Sequence, residues 1–270
     1  MLFEKVTLSH CTCTAYIPDF PKMDGARRIS IVILPGGGYS HVSDREGEPI
    51  ALTFAAMGMN AVVLNYRVSP AVFPAQMQDA AEAVAYVRRH AEIWHGDPER
   101  IAVCGFSAGG HAAASLGVHW QEADWWCPLG LTCEDVRPNA MVLAYPVITA
   151  GEFAHRQSFV CLTGTEDVSQ HQAHSIETLV TSQTPPTFLW HTWTDGSVPA
   201  ENSLLMAMAL HRAGVQGEVH IYPRGGHGAS LANRVTVNPG QEARKIVPEA
   251  ENWPNLAARF LMQVLCGAQA

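Results

Sequence analysis

Gly105-Phe106-Ser107-Ala108-Gly109 is the stretch whose reading decides the fold of this 270-residue chain. It follows an apolar run, Arg100-Ile101-Ala102-Val103-Cys104, and precedes the alanine-rich Gly110-His111-Ala112-Ala113-Ala114-Ser115-Leu116-Gly117. That order predicts a buried strand, a tight turn and a helix. A serine at the apex of such a turn takes a strained backbone conformation, and its hydroxyl stands clear of the sheet. Glycines two residues to either side let the strand and the helix close on each other. The turn has the form of a nucleophile elbow.

Working outward, residues 29–34 form an apolar, β-branched run of strand length, covered on both faces, that stops at Pro35-Gly36-Gly37-Gly38. Residues 48–57 have helical spacing, 60–66 read as a strand, and 75–95 as a long amphipathic helix with Met77, Ala80, Ala81, Val84 and Val87 on one stripe. Residues 96–100 read as a turn. Towards the N-terminus, residues 1–20 alternate weakly, as one or two antiparallel edge strands do, and Pro18, Pro21, Asp24 and Gly25 break the pattern. Beyond the elbow helix come an irregular stretch at 119–138, a strand at 139–145, and a mixed polar segment at 147–184 that reads as a small cap or insertion. Then follow a strand at 186–191, a helix at 200–213, a strand at 218–222 and a closing helix at 250–265. The alternation predicts one α/β domain over 1–270, a mostly parallel central sheet with helices on both faces.

Composition narrows the partners. A chain that is 47% hydrophobic can bury a substantial core. Its formal charge of −8, with no dense Lys/Arg run, excludes nucleic acid as the expected partner. No stretch approaches the ~20 apolar residues that span a bilayer, and the first residues lack the pattern of a signal peptide. Seven cysteines cannot all pair. The expected setting is a reducing cytoplasm. A homo-oligomer is left open.

Three polar residues fall in loops that directly follow strands, in the order Ser107, Asp195, His227. In a parallel sheet such loops gather at the carboxyl edge. A serine hydroxyl needs a base to become a nucleophile, and the base needs a carboxylate to fix its tautomer and stabilise its cation. Rivals exist among thirteen histidines. His41 is one; His111 lies one turn into a helix, and His191 and His220 fall within strands. Glu166 and Asp167 follow no strand. A developing oxyanion also needs donors, and the amide of Ala108 and those of the Pro35-Gly36-Gly37-Gly38 loop are placed to supply them. That loop is no phosphate cradle: no Gly-Lys-Ser/Thr follows, and G-x-G-x-x-G is absent.

Leu34-Pro35-Gly36-Gly37-Gly38-Tyr39, Asn65-Tyr66-Arg67, Gly105 to His111, His191 to Asp195 with Val198-Pro199, and Gly225-Gly226-His227-Gly228 together resemble the α/β-hydrolase esterases. The resemblance is to the bacterial acetyl-esterase branch labelled as xylan-related, bordering the hormone-sensitive-lipase-like group, and runs from about Ile29 to Gly228. It implies Ser107 as nucleophile, His227 as base, Asp195 as acid, and the amides of Gly37, Gly38 and Ala108 as oxyanion donors. It implies a short-chain carboxylesterase, acetyl esters above all, acting on a small-molecule substrate that extends to acetylated sugars. The chemistry calls for no cofactor or metal. Where the lipase-like group has His-Gly-Gly-Gly, this chain has Pro35 at the histidine position, so which glycine amides point inward stays open. Trp120, Trp125, Trp126 and Trp193 are candidate stacking faces for a sugar or aryl group. The same machinery cleaves amides, so an arylformamidase or peptidase is the alternative, and a catalytically silent binding module is a third.

Overall fold

A computed structural model describes residues 1–19 and 26–267. The interruption of the strand pattern expected at Pro21, Asp24 and Gly25 lies outside the described residues. Eight strands form one sheet: β1 (Leu2–Thr7), β2 (Thr12–Ile17), β3 (Arg28–Leu34), β4 (Asn60–Asn65), β5 (Gly96–Phe106), β6 (Ala140–Ala144), β7 (Thr187–Thr192) and β8 (Gly217–Tyr222). Their order is β1-β2-β4-β3-β5-β6-β7-β8. The pairs β1–β2 and β2–β4 are antiparallel, and every pair from β4 to β8 is parallel. Helices α1 (Glu48–Ala56), α2 (Ala75–His90), α3 (Ala108–His119), α4 (Cys133–Val136), α5 (Arg156–Thr163), α6 (Val168–His171), α7 (Glu201–Arg212), α8 (Glu242–Lys245) and α9 (Trp253–Cys266) complete the described elements, with short 3-10 turns between them.

The sheet separates two apolar cores. Val84, Val87, Leu116, Met206 and Leu210, from α2, α3 and α7, pack on one face against Val32, Val103 and Leu189. Ile50, Phe54, Trp253, Phe260 and Leu261, from α1 and α9, cover the other face against Ile31, Cys104 and Phe188. Successive residues of one strand thus feed opposite cores, which explains why β3 and the second half of β5 read as unbroken apolar runs. All seven residues of β3 are buried.

Two boundaries differ from expectation. The helix read over 75–95 stops at His90, and a turn carries the chain to Gly96. The stretch 96–100, read as a turn, is the first half of β5. Pairing with β3 jumps from Arg28 opposite Gly96 to Ser30 opposite Ile101. The extra residues bulge out of register, so polar Asp97, Pro98 and Glu99 disguise the strand. The segment 147–184 carries α5, α6 and two 3-10 turns.

Candidate active site

The sheet order brings the relevant loops together. β3 and β5 are neighbours, so Gly36-Gly37-Gly38 and Ser107 leave the same edge side by side; β7 and β8 deliver Asp195 and His227 to that edge. Ser107 sits at φ 51°, ψ −119°, the strained apex expected of the elbow. Three backbone bonds pin it: its amide donates to Ala144 at 3.0 Å, and its carbonyl accepts from Val147 at 3.0 Å and His111 at 3.2 Å.

The three strand-end residues meet. Ser107 Oγ lies 2.7 Å from His227 Nε2, and His227 Nδ1 lies 2.7 Å from Asp195 Oδ2. The carboxylate can only accept in its ionised form, so Nδ1 carries the proton and Nε2 is left to accept from the serine hydroxyl. Asp195 is held in turn: its Oδ1 accepts from the amides of Ser197 at 2.9 Å and Val198 at 3.0 Å. Burial alone would raise the Asp195 pKa. Hydrogen bonds from His191 and His227, the His227 charge and the Ser197 amide outweigh it and hold the carboxyl well below the usual carboxylate range. The Tyr145 ring stands edge-on to the His227 ring at 5.2 Å.

The glycine loop is fixed from both sides. The Pro35 carbonyl accepts from Tyr66 Oη at 2.6 Å, and the Gly36 amide donates to Glu46 Oε2 at 2.8 Å. Gly36 is therefore spent. The amides of Gly37 and Gly38 donate to no group among the described residues. Ala108 is the first residue of α3, whose leading amides have no acceptor within the helix.

Glu46 and Tyr145 are residues that sequence reasoning missed. Glu46 is buried, and its second oxygen accepts from Tyr145 Oη at 2.7 Å; that hydroxyl also accepts from the Ser230 amide at 2.9 Å. A carboxylate beneath the glycine loop is thereby tied to the loop that carries His227. Arg45 adds bonds to the carbonyls of Gly228 at 3.1 Å and Thr236 at 2.9 Å. The Asn65-Tyr66-Arg67 motif has a similar supporting role. Arg67 Nη2 lies 2.6 Å from Oδ1 of the buried Asp79 at the start of α2, so the segment that bears Tyr66 is anchored.

The rival residues go elsewhere. His191, in β7, has Nδ1 2.8 Å from Ser203 Oγ and donates from Nε2 to the Val198 carbonyl at 2.9 Å; it lies behind Asp195, not beside the serine. His220 faces Glu218 at 2.7 Å. Asp167 caps α6. His41 lines the same cleft as Ser107 but is bonded to Ser40. Trp120 and Trp126 are buried and serve as packing, while Trp193 is exposed.

His111 is buried in α3, donates from Nε2 to the His174 carbonyl at 2.8 Å and accepts from Tyr39 Oη at 2.8 Å on Nδ1. Burial first, opposed by the His174 carbonyl and reinforced by His174 and His119, lowers its pKa from 6.5 to about 4. Between those values the unfolded chain binds the extra proton, so stability is lost as pH falls through that window, by about 3 kcal/mol at most. His111→Gln is expected to flatten the loss. Urea unfolding at several pH values between 4.5 and 7 measures it, and parallel slopes in the two proteins would refute the assignment.

The cleft over Ser107 and His227 encloses about 340 Å³ and is lined by small and polar groups, among them Gly37, Gly38, Ser40, His41, Ser197, His155 and Gln157. Among the described residues no helix is long and apolar enough to cross a membrane.

Residues 19–210 match the family model described as BD-FAE. An endo-1,4-beta-xylanase B of Butyrivibrio fibrisolvens is 35% identical over 215 residues, 78% of this chain and 34% of that protein. An acetylxylan esterase of Xylanibacter ruminicola is 30% identical over 206 residues, 74% of this chain and 40% of that protein. The chain thus spans less than half the length of these curated relatives. Solved structures match over nearly their whole length. An acetyl ester-xyloside bifunctional hydrolase from Caldicellulosiruptor lactoaceticus superposes with TM-score 0.79 at 39% identity, covering 94% of this chain and 88% of that one. A carboxylesterase from Lactobacillus plantarum superposes with TM-score 0.87 at 32% identity, covering 100% of both.

Proposed function

The chain belongs to the BD-FAE family, and on that premise we propose that it is a serine carboxylesterase that hydrolyses short acyl esters, acetyl esters first, including those on sugars. The observation that carries the reading is the relay Ser107–His227–Asp195, with both contacts at 2.7 Å.

Ser107 Oγ attacks the ester carbonyl while its proton passes to His227 Nε2. Asp195, ionised throughout, stabilises the imidazolium through Nδ1–H and keeps the ring aimed. Charge gathers on the former carbonyl oxygen, and the amides of Gly37, Gly38 and Ala108 stabilise it. Among the described residues these donors have no competing partner, so little reorganisation is needed when the charge appears. The intermediate collapses as His227 returns the proton to the alcohol oxygen. Water then attacks the acyl carbon as His227 takes its proton, and collapse of this second intermediate returns that proton to Ser107 Oγ and releases the acid.

Size and polarity support a short acyl group. A cleft of about 340 Å³ walled by glycine, serine and histidine offers a long alkyl chain little apolar surface to exchange for water. The segment 147–184 contributes His155 and Gln157 to the wall, which supports reading it as a small cap on a single domain. Names of relatives that include acetylxylan esterase and an acetyl ester-xyloside hydrolase support acetylated xylo-oligosaccharides as the substrate class.

Across a series of 4-nitrophenyl esters, kcat/KM is expected to be highest for acetate and to fall at least tenfold by octanoate, with 4-nitroacetanilide far slower than the acetate. A maximum at long chains would overturn the acyl preference. Faster turnover of the anilide would favour an amidase.

A further inference from the structure

Beside His227 the cleft turns cationic. A methyl group on Gly226 would lie 3.5 Å from Arg244 Nε; on Gly228 it would lie 3.6 Å from Lys245 Nζ and 3.4 Å from Arg45 Nη2. Helix α8 therefore lays Arg244 and Lys245 along the loop that carries the base. Lys245 lines the cleft with Ser107 and His227, and both residues line an adjoining cavity of about 500 Å³ that also reaches Ser197 and His227.

One counter-charge stands close: Glu46 Oε1 would lie 3.8 Å from the same methyl on Gly228. Arg45 is engaged by two carbonyls, but among the described residues neither Arg244 nor Lys245 makes an ion pair. The neighbouring acids keep their charge but direct their hydrogen bonds to other groups. Glu46 accepts from the Gly36 amide and Tyr145, and Asp195 from His227, Ser197 and Val198. Glu242 lines a further cavity with Arg244 without pairing to it. Burial, then Arg45, pulls the Lys245 pKa below the usual lysine value; Glu46 opposes this and Arg244 adds to it. Lys245 is half-buried and Arg244 exposed, and with Arg45 they outnumber the Glu46 carboxylate that faces them, on a chain of net charge −8. A bound anion would relieve the excess.

Geometry says which half of the substrate meets the patch. The leaving oxygen must come within reach of His227 Nε2, because that nitrogen returns its proton. Groups beside His227 on the α8 side therefore face the alcohol half, while the acyl oxygen points to Gly37, Gly38 and Ala108. We propose that Lys245, with Arg244 beside it, selects esters whose alcohol half carries a carboxylate, such as an acetylated sugar bearing or adjoining a uronic acid. The inference rests on the ester-hydrolase reading and names a substrate class within it.

The test compares 3-acetoxybenzoate with its neutral counterpart 3-acetoxybenzamide, each corrected for its uncatalysed hydrolysis. The wild-type protein is expected to favour the benzoate in kcat/KM by about five- to tenfold at low ionic strength, chiefly through KM. The ratio should shrink towards parity at about 0.5 M NaCl, where the screening length is only a few ångströms. Lys245→Met is expected to bring the ratio close to one, and Lys245→Arg to retain most of it. A wild-type ratio near one, or a ratio unmoved by both salt and Lys245→Met, would overturn the proposal. Hydrolysis of neither ester would instead strike the ester-hydrolase reading beneath it, so the two failures are separable. The wild-type ratio and its salt dependence decide the matter even if the methionine variant does not fold.

Discussion

Ser107→Ala is expected to lower kcat/KM for 4-nitrophenyl acetate by about 10⁴- to 10⁶-fold, some 5–8 kcal/mol of transition-state stabilisation. The hydroxyl is the only atom deleted, and it lies 2.7 Å from the ring that would activate it. Without it there is no acyl-enzyme, and only the oxyanion donors and binding remain. Alanine also tolerates the apex of the elbow no worse than serine does, since φ 51° strains both alike. The fold should therefore survive, with an unchanged far-ultraviolet circular dichroism spectrum. Labelling by a fluorophosphonate probe should vanish together with turnover. A folded Ser107→Ala protein that keeps more than a few per cent of its activity would remove the nucleophile from the mechanism.

The second large effect concerns stability. A Cβ on Gly109 would lie 2.2 Å from the Leu34 carbonyl oxygen and 2.3 Å from that of Pro35, and one on Gly105 would lie 2.3 Å from the Gly109 carbonyl oxygen. These are backbone atoms of β3, the glycine loop and α3, so no rotamer change relieves the clash. Strand and helix would have to separate at the point where the glycine loop meets Ser107. Gly109→Ala is expected to cost about 4 kcal/mol or more, roughly 10 °C in melting temperature, or to prevent soluble expression. Gly196→Ala is the control. It has ordinary φ and nothing within 4 Å of its Cβ, and its melting temperature should stay within a degree or two. Equal melting temperatures for the two variants would contradict the close approach that defines the elbow.

The two expectations separate chemistry from architecture within five residues. Ser107 can be lost without loss of the fold because its side chain projects from the sheet edge. Gly109 cannot, because it is where three segments touch. Both expectations can be read from the spacing of the motif, and for the same reason. A strand-to-helix turn this tight tolerates no side chain at its flanks and leaves only its apex free.

Legibility ended where partners lie far apart along the chain. The alternation of apolar strands with amphipathic helices follows from local backbone periodicity, and the loops after β5, β7 and β8 share an edge because parallel strands share a direction. Sequence alone therefore determined the α/β architecture and the order Ser107, Asp195, His227. It missed the first half of β5 because a bulge carries polar residues through a strand. Only the tertiary structure decided that Glu46 claims the Gly36 amide and leaves Gly37 and Gly38 free. Tyr145, 99 residues away, shares that carboxylate, and Lys245 comes to stand beside His227. A buried carboxylate or an unpaired lysine has no periodic signature. Its meaning is set by which atoms surround it, and those are chosen by the packing of the whole chain.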